Sequence, residues 1–224
     1  MLEIYLDTAD LQQIRSLAPV LPLKGVTTNP SILAAGGRGV KSFLAEAGAI
    51  LGGDARFHVQ VLGHDVDTII EEARQLHRLP HDIVVKIPAH AAGLAAIRRI
   101  REDAIPVLAT AIYNSPQGVM AALHGAEYLA PYLNRMDNMG FDGMGVVSEL
   151  QSFVTRYPVS ARVLVASFKN IKQVLQVLGL GVGAVTLPVE IARQMIDVPA
   201  TCSAVDQFMG DWQRAFGDRL SFES

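Results

Sequence analysis

The chain has 224 residues, 50% of them hydrophobic and 18% charged, with a net charge of −3 and no basic block, which argues against nucleic acid or an anionic membrane as a partner. No apolar run reaches the roughly 18 residues of a membrane span. The acidic start MLEIYLDTAD predicts no secretory leader, and the single cysteine, Cys202, excludes an internal disulfide and fits a reducing compartment, so a cytoplasmic protein is expected.

Short apolar runs with strand character recur along the chain, and amphipathic stretches of helical spacing lie between them. The first three strands are EIYLD (3–7), GVTT (25–28) and RFHVQV (56–61), followed by a helix over 65–78. DIVVKI (82–87) precedes a helix over 90–101, and PVLAT (106–110) one over 116–124. EYLAPY (127–132) leads to a helix over 143–156; RVLVAS (162–167) and AVTLP (184–188) complete the set, the last with a helix over 189–196.

Strands that are apolar almost throughout are buried on both faces, which means a parallel sheet covered by helices. Eight units could build a doubly wound open sheet, but eight in so short a chain favour a closed (β/α)8 TIM barrel. No linker divides the sequence, so residues 1–224 are expected to form a single domain. Residues 199–218 form an additional C-terminal helical extension in which Val205, Phe208, Met209, Trp212 and Phe216 fall on one stripe. That stripe either closes the barrel bottom or packs on a neighbouring subunit.

In this fold chemistry is done at the C-terminal ends of the strands. Those ends present Asp7, Thr27 with Asn29, Gln60, Lys86, Thr110, Tyr132 with Arg135, and Ser167 with Lys169. Each has a plainer reading: Asp7 as a helix cap, Asn29 before Pro30 as a turn residue, Arg135 and Lys169 as solvated charges, Lys86 as a side chain reaching solvent along its apolar stem. Their common position favours a site.

Lys86 stands among Ile83, Val84, Val85 and Ile87. A desolvated amine has a lowered pKa, and a neutral amine forms Schiff bases with carbonyl substrates. Tyr132, Thr110 and Gln60 could relay protons through one water, while Asp7 orients hydroxyls and balances the iminium charge. Arg135, Ser167 and Lys169 make an anion site, with SFKN expected at a helix start.

No histidine or carboxylate cluster has metal-ligand spacing, so neither metal nor cofactor is expected. GLGVGAV (179–185) precedes a strand instead of following one and is read as a turn, and Cys202 has no histidine partner.

The segments YLDTAD, GVTTNPSI, IVVKIP, GAEYLAPYLNRMD, VLVASFK and VTLPVEIARQMI, in this order and over nearly the whole chain, resemble the transaldolase family. The resemblance implies Lys86 as the Schiff-base lysine, Asp7 as the carboxylate that handles donor hydroxyls and protons, and Gln60, Thr110 and Tyr132 around a catalytic water. It implies Thr27 and Asn29 as donor contacts and Arg135 and Ser167 on the acceptor phosphate; Lys169 follows by proximity alone. Transaldolases proper carry glutamate and phenylalanine where this chain has Gln60 and Tyr132, so the chain is similar to the fructose-6-phosphate aldolase branch. The implied reaction is metal-independent cleavage of fructose 6-phosphate to dihydroxyacetone and glyceraldehyde 3-phosphate. The alternatives are transfer of the dihydroxyacetone unit between sugar phosphates, or a sugar-phosphate-binding barrel without turnover. The family also implies a homo-oligomer in which the tail helix crosses to a neighbour, with pentamers pairing into decamers.

Overall fold

The structure is a computed structural model that describes residues 2–223; Met1 and Ser224, at the ends of the expected domain, lie outside the described residues. Eight strands occur in chain order: β1 (Glu3–Asp7), β2 (Leu23–Thr27), β3 (Arg56–Gln60), β4 (Asp82–Pro88), β5 (Val107–Ile112), β6 (Tyr128–Pro131), β7 (Arg162–Val165) and β8 (Ala184–Leu187). They pair in parallel, each with the next, and β8 returns to β1, closing the barrel. The helices are α1 (Leu11–Leu17), α2 (Pro30–Ala35), α3 (Val40–Leu51), α4 (Val66–His77), α5 (Ala91–Ile100) and α6 (Ser115–His124). They continue with α7 (Leu133–Asn138), α8 (Gly143–Arg156), α9 (Ile171–Gly179), α10 (Val189–Gln194) and α11 (Pro199–Phe216).

Strand alternation divides the core in two. In β4, Ile83, Val85 and Ile87 point outward into the layer between sheet and helices, whereas Val84 joins Tyr5, Leu108, Tyr128, Ala130, Leu164 and Ala184 inside the barrel. Two residues on from Val84, Lys86 therefore faces inward as well. A run that reads as uniformly apolar thus delivers one amine to the barrel axis.

The bottom of the barrel is closed by polar groups. Arg56 pairs with Asp82 at 2.9 Å and Glu127 at 2.6 Å, and Arg162 pairs with Glu3 at 2.8 Å while lying over the Tyr128 ring. Burial alone would raise the Glu3 pKa, but hydrogen bonds donated by Tyr128, Tyr5 and Arg162 outweigh it and hold the carboxyl below its usual range. Above this layer the buried His58 ring packs edge-on against Tyr5 at 4.6 Å and Tyr128 at 5.2 Å.

Several boundaries differ from the sequence expectation. β6 and β7 stop short of residues 132 and 167 because Tyr132 makes only an isolated bridge to Ala166, and Ser167 turns into the left-handed region with φ 66°. The span between β2 and β3, for which the sequence reading gave no helix bounds, holds two helices, α2 and α3. The helical extension begins at Pro199, a favoured first-turn residue. No residue of α11 is buried, so its stripe does not close the barrel.

Candidate active site

At the C-terminal end of the strands a cavity of about 190 Å³ opens. Pockets for drug-sized ligands run to roughly 300–1,000 Å³, so this one suits a short polar substrate. Its wall brings together Asp7, Thr27, Asn29, Lys86, Thr110, Tyr132, Arg135 and Ser167, eight of the ten residues singled out in the sequence.

Lys86 is 5% exposed, and its Nζ donates to the Thr28 carbonyl at 2.6 Å. Burial lowers the amine's pKa below the usual lysine range; the Asp7 carboxylate works against that shift and the Arg135 guanidinium adds to it. A neutral amine tethered by one N–H keeps its lone pair free for a carbonyl carbon.

Asp7 does not cap the following helix; Asp10 does, accepting from the N–H groups of Gln12 and Gln13. Asp7 is left for the cavity, where Thr27 Oγ1 donates to it at 2.6 Å. Having one proton to give, Thr27 must accept from Thr186 Oγ1, 2.7 Å away. The chain Thr186, Thr27, Asp7 orients the carboxylate toward the cavity rim. Thr186 was not anticipated, because a threonine inside AVTLP reads as ordinary strand composition; its position on β8, opposite Tyr5 of β1, is what turns it inward.

Asn29 does act as a cap, its side chain accepting from Ile32 N–H at 2.9 Å, which leaves its amide NH2 as the group available to a ligand. On the opposite wall Thr110 Oγ1 and Tyr132 OH are 2.8 Å apart. Burial raises the phenol's pKa against the lowering contributed by Thr110 and Arg135, so Tyr132 is protonated and can donate. The Arg135 guanidinium lies 4.7 Å above its ring.

Gln60 and Lys169 are not brought into the cavity wall. Gln60 pairs in register with Lys86 and shares the inward face of β3 with His58, but it lies outside the lining. Lys169 is exposed, and the helix of this region starts later than SFKN suggests, at Ile171 with Asn170 as cap. Of the three groups expected to hold an anion, Arg135 and Ser167 line the cavity.

The structure is a closed parallel (β/α)8 barrel whose mouth sets a buried lysine on one cavity wall with a carboxylate and a tyrosine. Residues 4–219 match the family model described as Transaldolase/Fructose-6-phosphate aldolase, and the chain belongs to that family. Among solved structures, the chain is similar to a flavocytochrome b2 double mutant with sulfite bound, at TM-score 0.61 and 10% identity over 84% of this chain and 56% of that one. It is also similar to a mandelate oxidase mutant with a monooxide FMN adduct, at TM-score 0.58 and 14% identity over 84% of this chain and 65% of that one. The chain thus spans less than two thirds of either structure's length, and at such identities the likeness shows the barrel fold alone.

Proposed function

We propose that this protein is a Schiff-base aldolase that reversibly cleaves fructose 6-phosphate to dihydroxyacetone and glyceraldehyde 3-phosphate. The observation that carries the reading is the Lys86 amine, buried, held by the Thr28 carbonyl and set in the cavity with Asp7, Thr110 and Tyr132. Lys86 Nζ adds to the substrate ketone carbon, and loss of water gives an iminium. The bond between the third and fourth carbons then breaks: its electron pair enters the enamine and the C4 hydroxyl proton passes to a base, freeing the aldehyde. Asp7, the carboxylate on the cavity wall, takes that proton and one is returned to the enamine carbon, which restores the iminium; the Tyr132–Thr110 pair holds the water that hydrolyses it to dihydroxyacetone and free amine. Arg135 and Ser167 take the phosphate.

Borohydride added with dihydroxyacetone should fix the reduced donor's mass on the peptide carrying Lys86; an unmodified Lys86 under trapping conditions overturns the mechanism. Tyr132 beside Thr110 supports release of the donor to water over its transfer to a second sugar. Product formation that requires erythrose 4-phosphate would decide for transaldolase instead. Binding of fructose 6-phosphate without turnover would decide for a non-catalytic barrel.

The exposed stripe of α11 supports a homo-oligomer built by exchange of this helix between neighbours, up to paired pentamers. No helix among the described residues is long and apolar enough to cross a membrane, and a cytoplasmic setting fits the lone cysteine.

A further inference from the structure

Two loops at the mouth follow the same local plan. In AIYNSPQ (111–117) and SFKNIKQ (167–173) the first residue is left-handed, Ala111 with φ 54° and Ser167 with φ 66°. The fourth is an asparagine helix cap, and the seventh a glutamine whose side-chain oxygen accepts the backbone N–H of the third. The arrangement is a capping box shifted back by one residue. In both loops it leaves the glutamine NH2 free to hold something else. Gln117 spends it on the Ala89 carbonyl at 3.1 Å, tying the β5 loop to the β4 loop.

Gln173 spends it on α7. Its Oε1 accepts from Lys169 N–H at 2.8 Å, while Nε2 donates to Asp137 Oδ2 at 3.0 Å and reaches Asn134 Oδ1 at 3.4 Å. Those two acceptors flank Arg135 on the same short helix. The loop end of the link is also fixed from the other side, since Asn134 N–H donates to the Ser167 carbonyl at 2.8 Å. Left-handed backbone at a residue other than glycine persists only when its surroundings hold it there. Here a single side chain bridges the segment carrying Ser167 to the helix carrying Arg135 without touching the cavity itself.

We propose that Gln173 is a positioning residue that sets the spacing of Arg135 and Ser167 and thereby the affinity of the mouth for a phosphate-bearing acceptor. The inference rests on the reading of those two residues as the anion subsite.

The test compares glyceraldehyde 3-phosphate with unphosphorylated glyceraldehyde as acceptors of dihydroxyacetone, alongside calorimetric titration of inorganic phosphate. Losing the three side-chain hydrogen bonds of Gln173 in Gln173→Leu should raise KM for the phosphorylated acceptor about tenfold and weaken phosphate binding by a similar factor. Turnover of plain glyceraldehyde should not change. Gln173→Glu keeps the acceptor for Lys169 N–H but sets a carboxylate against Asp137, so it should show the same loss. Asp137→Asn added to it supplies an NH2 in the reverse direction and should restore phosphate affinity, a rescue that a merely structural role does not predict. A parent protein that binds no phosphate overturns the subsite reading and this inference with it. A parent that binds phosphate while Gln173→Leu binds it equally, or weakens both acceptors alike, overturns the inference alone. Should Gln173→Leu fail to fold, the Glu and Glu/Asn pair decides by phosphate titration, and failed rescue counts against the proposal.

Discussion

Lys86 carries a cost to the fold that the proposed chemistry explains. Burial depresses its folded pKa below 10.5, so at neutral pH the unfolded chain binds the proton more readily than the native one. For a base shifted this way, stability is lost as pH falls below the unfolded value and is fully present above it. Lys86→Met keeps an unbranched stem, removes the amine and strands the Thr28 carbonyl, which returns about 1 kcal/mol of cost. Turnover should vanish while Tm at pH 7 does not fall, and the variant's advantage over the parent should shrink as pH climbs toward 10.5. A Tm that drops on substitution and ignores pH would contradict a desolvated amine. His58 gives the same sign at lower pH: fully buried with neither ring nitrogen bonded, its pKa is pushed well below 6.5 by burial, with Lys86, Arg56 and Arg162 adding to the effect. Relative to His58→Phe, the parent should lose about 1.4 kcal/mol of stability per pH unit below the unfolded histidine's value and nothing above it, measured by urea unfolding at stepped pH.

At the scale of elements, Lys86 is placed by the seating of α5 on the end of β4. A Cβ on Gly93, in the first turn of α5, would stand 1.9 Å from the Pro88 carbonyl oxygen, two residues beyond Lys86. Gly93→Ala must push the helix off the strand, at a cost of about 2–4 kcal/mol, and turnover should fall together with Tm. Gly53→Ala, where nothing lies within 4 Å, should stay within about 0.5 kcal/mol of the parent by the same unfolding measurement. All eight strands were legible because burial on both faces leaves a nearly continuous apolar run, as in residues 83–87 of β4, where Lys86 is the one exception. Their ends slipped at Tyr132 and Ser167, where backbone geometry overrides composition. The six-residue helices α2 and α7 are too short to show a helical period. The site was legible where an ionisable side chain interrupts an apolar run, as at Asp7 and Lys86. It was illegible where the contribution is a main-chain oxygen, as at Thr28, or a register across the barrel closure, as at Thr186. Lys169 misled because its distance from Ser167 was counted along the chain, whereas the left-handed turn carries it outward.

Across the whole molecule the polarity is layered: charged pairs close the bottom, aromatic rings fill the middle, the amine and its partners line the top, and the tail stands outside all three. α11 exposes Phe208 and Met209 at 66% each, with Val205 and Phe216 beside them, and none of its own residues is buried. A helix that contributes no buried residue adds little to the barrel's stability, so a chain ending at Val198 should keep the parent's far-UV helical signal apart from the lost tail. In the proposed oligomer those same side chains supply the contact, and their removal should leave a monomer by sedimentation equilibrium while the parent sediments at several times the protomer's 24.1 kDa. The chain's single tryptophan, Trp212, sits on this helix against Phe216 at 4.5 Å between ring centroids, so its emission reports the contact directly. Burial by a neighbour shifts indole emission to shorter wavelength. Diluting the parent through its dissociation range should shift it back, and Phe208→Asp should show the red-shifted emission at every concentration. A parent that sediments as one protomer, or a truncated chain whose mass still corresponds to the assembly, would remove α11 from the interface and leave its apolar stripe without a role.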